Sequence, residues 1–369
     1  MDAPLVVVGG GPVGATLGLM VPGSVVLEMG SFPKDKPCGE GLLPAGVEIL
    51  ERVGVDLAKE GFPALRGVSY RVPGGGAVRA QFEGTCGRGV RRMRLDSLLA
   101  GRASVVTGCR VLGLRAVPGG VEVQTTQGPV GASAVVATDG AHSAVARQLG
   151  WWRPGFGRYG LVGHLRAPGG DGEIEVTLLG GQETYLAPVG AEEVLVAVLA
   201  GRHALREPAA SREDRYRRVL ARAHPELAEA ELSGRVWGAG PFQWRPATVA
   251  RGRVFLAGDA AGFVDPLTGD GITAGLQQAS VLAGLLADGL KFAAPRYRRW
   301  WRSQWRRRQA VGRLARWLCA DPERSRRVVA TLSRRPQALQ QLIGLNEGSS
   351  GWSQLSPAEW MAVLPFGRS

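Results

Sequence analysis

The chain has 369 residues, 45% of them hydrophobic, enough for two packed domains or one α/β body with an inserted sheet, and too apolar for global disorder. Its net charge of +13 is local: Arg296 to Arg335 holds fourteen Arg against Asp321 and Glu323, a balance of +12, so the remainder is nearly neutral. Four Cys without a CxxC pair and four scattered His argue against a metal site, and no apolar run approaches the roughly 18–20 residues of a membrane span.

In chain order, Leu5 to Val8 is a bare apolar run of the kind buried on both faces of a parallel sheet. Gly9, Gly11 and Gly14 follow with GxGxxG spacing, a helix is predicted from about Val13 to Met20, and Pro22-Gly23 stops it. Ser24 to Leu27 is a second strand, ending on Glu28. Strand, glycines, helix, strand and acid in that order form the dinucleotide fingerprint. Gly9 permits the tight turn, Gly11 lets backbone touch a pyrophosphate, Gly14 permits close helix–strand packing, and Glu28 accepts from ribose hydroxyls. The glycine-interrupted start lacks a basic region, so a signal peptide is not expected. Free thiols in a reducing cytosol are the default, hence a cytoplasmic location.

Ser31 to Pro44 is a predicted loop carrying Cys38 and Glu40, and Ala45 to Val53 an amphipathic helix. Strands are predicted at Gly67–Val72, Ala77–Phe82, Ser104–Thr107, Arg110–Arg115, Val121–Thr125 and Ala134–Ala137, with a helix starting near Arg91. The last of these strands runs into Thr138-Asp139-Gly140, with Ser143 placed to cap a short helix. Residues 160 to 200 alternate with period two and read as an antiparallel sheet with one covered face. Helices follow at Arg212–Ala223 and Pro225–Glu231. Arg253 to Ala257 is a strand that ends on Gly258-Asp259, and a helix is predicted from Thr273 to Leu286. Its free N–H groups could face a carbonyl or anionic ring edge.

These motifs, in this order, resemble the flavoprotein hydroxylase superfamily typified by para-hydroxybenzoate hydroxylase, and within it the branch with geranylgeranyl reductases and flavin-dependent halogenases. Asp139-Gly140 looks like the family's DG motif, and Gly258-Asp259 through Gly271 like its GD motif. The resemblance implies an α/β fold: a Rossmann-like FAD-binding domain with a mostly parallel sheet (1–69, 90–150 and 245–290), an inserted antiparallel-sheet substrate domain (70–89 and 151–244), basic C-terminal helices (291–347) and a tail (348–369) with Trp352 and Trp360 as anchors. It implies FAD as cofactor and NAD(P)H as reductant. Asp259 would bind ribityl or pyrophosphate hydroxyls, Pro266 would lie against the flavin, and Gly269, Gly271 and Ile272 would present N–H groups to its pyrimidine edge. Arg92 matches a family Arg near FAD, and Asp96 is structural.

Two chemistries stay open on that resemblance. One is hydroxylation of a largely apolar small molecule through a flavin hydroperoxide; the other is reduction of carbon–carbon double bonds. A flavin-binding protein without turnover is a third reading. Cys38-Gly39-Glu40-Gly41-Leu42 favours the reductase branch, but Tyr185-Leu186-Ala187-Pro188 keeps only the Tyr and Pro of its Tyr-x-Trp-x-Phe-Pro element. The halogenase Trp-x-Trp-x-Ile-Pro element and its Lys are not found. Cys38 is read as a pocket-lining or proton-shuttling thiol or a buried small residue, Glu40 as an acid/base group or a cap for the helix near Pro44. His142 contacts the nicotinamide cofactor or lies on the surface, and Tyr185 reads as half of a cross-strand aromatic pair. The Arg/Trp segment 296–318 packs on the FAD domain, touches an anionic membrane surface, or meets an acidic carrier protein bearing the substrate. No nucleic-acid module accompanies the charge.

Overall fold

A computed structural model describes residues 2–155, 157–201 and 210–348. The expected tail and its Trp352 and Trp360 lie outside the described residues, apart from Gly348. Helices run at α1 (Pro12–Met20), α2 (Pro44–Arg52), α3 (Arg92–Arg102), α4 (Ala144–Gln148), α5 (Arg212–Ala223), α6 (Gly271–Ala287), α7 (Leu290–Cys319), α8 (Pro322–Ser333) and α9 (Pro336–Glu347). Pro225–Leu227 is a single 3₁₀ turn, not the helix expected to Glu231. Pro225 presets only its first residue, and four residues after Leu227 the chain meets the second sheet, Glu231 O accepting from Arg166 N–H.

The first sheet runs in the order Ala250–Arg251, Val254–Leu256, Val130–Ala137, Asp2–Val8, Val25–Leu27, Val105–Val106. From Val254–Leu256 onward its strands are parallel. The hairpin Val111–Val117/Gly120–Thr125 joins antiparallel to Val130–Ala137. Val6, Val7, Val135, Val136 and Phe255 are fully buried, as strands covered on both faces must be. This order sets the carboxyl ends of Asp2–Val8, Val130–Ala137 and Val254–Leu256 side by side, so the three turns that follow them share one sheet edge.

The second sheet has seven strands in the order Trp237–Ala239, Arg158–Arg166, Glu193–Gly201, Gln182–Gly190, Glu173–Leu178, Gly67–Arg71, Ala77–Gln81. All its pairings are antiparallel except Glu173–Leu178 with Gly67–Arg71. The division expected between residues 69 and 70 therefore falls inside a strand, because Gly67 to Arg71 pair continuously with Glu173 to Thr177. The expectation of one covered face also fails in the centre. Leu195, Ala197 and Leu199 face the core that meets α8 and α9, while Val194, Val196 and Val198 pack on Tyr216, Val219 and Leu220 of α5. Every residue from Val194 to Ala200 is apolar, which is what a strand covered on both sides requires.

Helix α7 bridges the two bodies. Tyr297, Trp301 and Trp305 are buried against the first sheet, and Leu314, Leu318 and Cys319 pack with the second. Tyr297 Oη donates to Leu256 O at 2.8 Å, which fixes the helix to the strand that precedes Gly258.

Candidate active site

The first turn is shaped by contacts that tolerate no side chain. Gly9 has φ +104, and a Cβ there would sit 2.7 Å from Thr138 O. A Cβ on Gly14 would overlap Gly9 O. Gly11 is different. A Cβ there would meet nothing nearer than Arg92 Nη2 at 3.9 Å, so the space over Gly11 is open. Gly11 is also the N-cap of α1 and offers no side chain to its first N–H groups. An open cradle over uncapped N–H groups is what a pyrophosphate needs.

Glu28 is buried at the end of the second strand. Its Oε2 accepts from Gly10 N–H at 2.8 Å, its Oε1 from Gly30 N–H at 3.0 Å, and Lys34 Nζ lies at 2.6 Å. Burial alone would raise its pKa, but the Lys34 ammonium and the two N–H groups outweigh it and hold the carboxyl below its usual value. Glu28 thus stays ionised beside the glycine turn. Arg92 forms a bidentate pair with buried Asp96, both bonds 2.8 Å, which aims its guanidinium past Gly11. Asp139 Oδ2 accepts from Ala144 and Val145 N–H at 2.8 and 3.2 Å, and Ser143 Oγ caps Ala146. Asp139 Oδ1 is buried without a partner, and burial raises this carboxyl above its usual pKa. His142 is exposed just before α4, 3.4 Å from Arg147.

The distant turn comes to the same place. Gly258 packs on Val13 of α1, and its N–H donates to Gln278 Oε1 at 2.9 Å. Asp259 accepts no side-chain hydrogen bond from the described residues. It is open to solvent on one side yet deep enough in the crevice that burial raises its pKa, opposed by the charges of Arg92 and Lys36. Asp259 therefore shares a crevice with Arg92 and Gly11. Asp265 accepts from Leu267 N–H at 3.0 Å, Gln243 at 2.9 Å and Arg316 at 3.2 Å, with Arg158 at 3.5 Å. These bonds set the Pro266–Thr268 turn. Gly269 follows with φ +65, which only glycine adopts without strain. Gly271 is exposed and Ile272 half-buried at the start of α6, whose N-cap Asp270 turns its carboxylate to Thr268 and Arg308 and makes no side-chain bond to the first N–H groups of the helix.

Cys38 and Glu40 lie close by but differ. Cys38 is half-buried, its Sγ accepting from Glu40 N–H at 3.4 Å, and burial pushes the thiol pKa up despite the nearby Arg92. Glu40 is buried with φ +56, and both its oxygens are engaged. Its Oε1 accepts from Arg92 N–H at 2.7 Å and Arg91 at 3.3 Å, and Oε2 meets His164 Nε2 at 2.8 Å. It caps α3 rather than the helix at Pro44, and it ties that helix to the second sheet.

An apolar cavity of about 120 Å³ adjoins the turn at Leu267 to Gly269. Val176 and Tyr185 of the second sheet, Leu318 of α7 and Ile343 of α9 are among its walls, and no charged side chain of the described residues lines it. Tyr185 has no aromatic cross-strand neighbour: it opposes Ala197 and Val176. Its ring reaches between two glycine-bearing loops instead, with Cε1 3.4 Å from where a Cβ on Gly39 would lie and Cε2 3.4 Å from one on Gly269. The hydroxyl is buried without a partner, and burial keeps the phenol neutral. The sequence reading missed Tyr185 in this role and took Asp265 only as part of a reductase-like element with Pro266 and Gly269, without its part in holding the turn.

The FAD binding domain family model matches residues 2–298. Menaquinone reductase of Mycobacterium tuberculosis (strain ATCC 25618 / H37Rv) is 30% identical over 327 residues, covering 77% of this chain and 76% of that protein. Dialkyldecalin synthase of Streptomyces rugosporus is 29% identical over 334 residues, covering 80% and 67%. The flavin-dependent brominase Bmp2 shares the fold with a TM-score of 0.83 over 98% of this chain and 97% of its own, at 16% identity. Open cradle, uncapped helix starts, unpartnered acid and family match agree: the chain belongs to the FAD-dependent hydroxylase superfamily and is an FAD-dependent oxidoreductase.

Proposed function

We propose that this flavoenzyme is an NAD(P)H-using monooxygenase that acts on a largely apolar small molecule held in the cavity beneath Leu267. The observation that carries this reading is the cavity: apolar, uncharged among the described residues, and ending on the turn expected to meet the flavin. The chemistry FAD would supply here is hydride acceptance from NAD(P)H and reduction of O2, one oxygen atom entering the substrate and the other leaving as water. Gly11 and the start of α1 would hold its pyrophosphate, Glu28 its ribose, Asp259 its ribityl hydroxyls, and Gly271 and Ile272 N–H its pyrimidine edge. The cavity walls keep water from the reacting centre. Tyr185 holds its proton at Oη and can donate it to a polar group of the substrate. Cys38 remains a thiol beside that position, and Glu40 acts as a positioning residue through Arg91, Arg92 and His164. The test is turnover under ¹⁸O₂: substrate-stimulated NAD(P)H oxidation with label in the product supports the reading, and an unlabelled product contradicts it.

A second reading, reduction of a carbon–carbon double bond, draws support from the similarity to menaquinone reductases and from the cavity's proton inventory. Its walls offer neutral donors, Tyr70, Tyr185 and Cys319 (the last pushed up to about 12 by burial), and, among the described residues, no carboxylate or His to act as base. Product formed without O₂ would favour this reading and exclude the first.

A further inference from the structure

We propose that the outer face of α7 docks the protein on an anionic phospholipid bilayer. The helix has 30 residues, so it is roughly 45 Å long. Its inner face is fully used, first against the FAD-binding sheet and then as a wall of the cavity. Of its nine Arg, Arg298 donates to Ala250 O and Arg307 is half-buried, and seven fall into two sets. Arg308 and Arg316 turn inward and pair with Asp270 and Asp265, and Arg296 pairs with Asp288. Arg299, Arg302, Arg306 and Arg313 are exposed, and none of the four makes an ion pair or hydrogen bond to the described residues. Steps of three, four and seven place these four on one stripe.

Both ends of the stripe carry an exposed aromatic ring with a cation over one face, Lys291 over Phe292 at 5.3 Å and Arg324 over Trp317 at 4.0 Å. Phe292, seven residues before Arg299, is 59% exposed, and Trp317, four residues after Arg313, is 37% exposed. They are the two aromatic side chains in the exposed class among the described residues, and both fall on this line. A straight cationic row with an aromatic ring at each end matches a plane of anionic headgroups, where cations meet phosphate and rings settle at the interface. No helix among the described residues is long and apolar enough to cross a membrane, so contact would be peripheral. The same helix forms a cavity wall with Val311, Leu314 and Leu318, so docking would bring the cavity against the layer in which apolar molecules dissolve.

The test is flotation of the full FAD-loaded chain with phosphatidylglycerol/phosphatidylcholine vesicles and with phosphatidylcholine alone. It reads no turnover, so its failure leaves the redox reading intact. The expected result is partitioning onto anionic vesicles only, lost at about 0.5 M salt. The R299E/R302E/R306E/R313E variant should partition roughly a hundredfold less with unchanged FAD content and Tm. Should reversal perturb folding, the four Arg→Gln changes give the same comparison more mildly, and F292A/W317A should weaken partitioning severalfold. Equal partitioning of wild type and variants, equal partitioning onto neutral vesicles, or no vesicle binding alongside capture by an acidic carrier protein would overturn the proposal.

Discussion

The FAD crevice and the apolar cavity meet at one turn but are built by opposite means. The crevice is made of backbone: turns at Gly9–Gly14, Thr138–Gly140 and Gly258–Asp259, all at one sheet edge, with the starts of α1 and α6 left uncapped. The cavity is made of side chains from a second sheet and three late helices, far apart in sequence. Backbone turns need particular residue types, chiefly glycine and a short acid, so they leave marks in a sequence. A wall of Leu and Val accepts many apolar residues equally well and leaves none. Changes in the crevice should therefore act on folding or on FAD, and changes in the cavity on substrate alone.

The largest expected effect separates two glycines of the first turn, Gly11 and Gly14, three residues apart. Gly14→Ala drives a Cβ into Gly9 O and should cost more than about 4 kcal/mol, leaving little folded protein. Gly11→Ala meets no protein atom closer than 3.9 Å, so the apoprotein should keep its Tm while FAD affinity falls roughly tenfold or more. Thermal scans of apoprotein and flavin titrations read the two apart; a matched loss of Tm in both would show that Gly11 serves packing and not the cofactor.

Next comes Glu40. Removing a buried carboxylate that holds Arg91, Arg92 N–H and His164 should cost about 3 kcal/mol. Glu40→Gln should then lower Tm more than it lowers kcat. A normal Tm with kcat down by orders of magnitude would instead make Glu40 an acid/base group.

On the cavity side, Ala315→Trp fills free volume at the α7 wall. It should raise KM or abolish turnover of an apolar substrate while the bound-flavin spectrum stays as it was. Altered flavin content would mean that the two regions are not separable.

The smallest effect is a pH dependence at the seam. Burial, with Asp270 and Glu48 nearby, raises the Glu347 carboxyl from 4.5 to about 7. A raised acid favours the protonated form in the folded state, so its stabilisation is complete below pH 4.5 and lost as pH rises through about 7. Glu347→Gln should flatten the fall in Tm across that window by an amount worth about 1–2 kcal/mol. An identical slope in wild type and variant would remove Glu347 as its source.

How much was legible follows the same division. The βαβ unit, the Asp139 turn and the α6 start could be read directly because each answers a backbone demand. Glu40 was visible as a residue but not in its role, since its partners Arg91 and His164 lie 51 and 124 positions away. Tyr185 was misjudged because period-two alternation tells which face a residue takes, not what stands opposite that face. The double covering of Glu193–Gly201 was present in an unbroken apolar run, yet α5, which supplies the second cover, is separated from it by residues 202–211.

The central claim is that three turns and one cavity converge on a single flavin. A crystal structure of the FAD-loaded chain with an apolar ligand tests it most directly. The account predicts pyrophosphate on Gly11, ribityl hydroxyls on Asp259, the ring edge at Gly271 and Ile272, and the ligand beneath Leu267 within reach of Tyr185. A flavin ring placed away from Gly269, or a ligand bound outside the cavity, would contradict it.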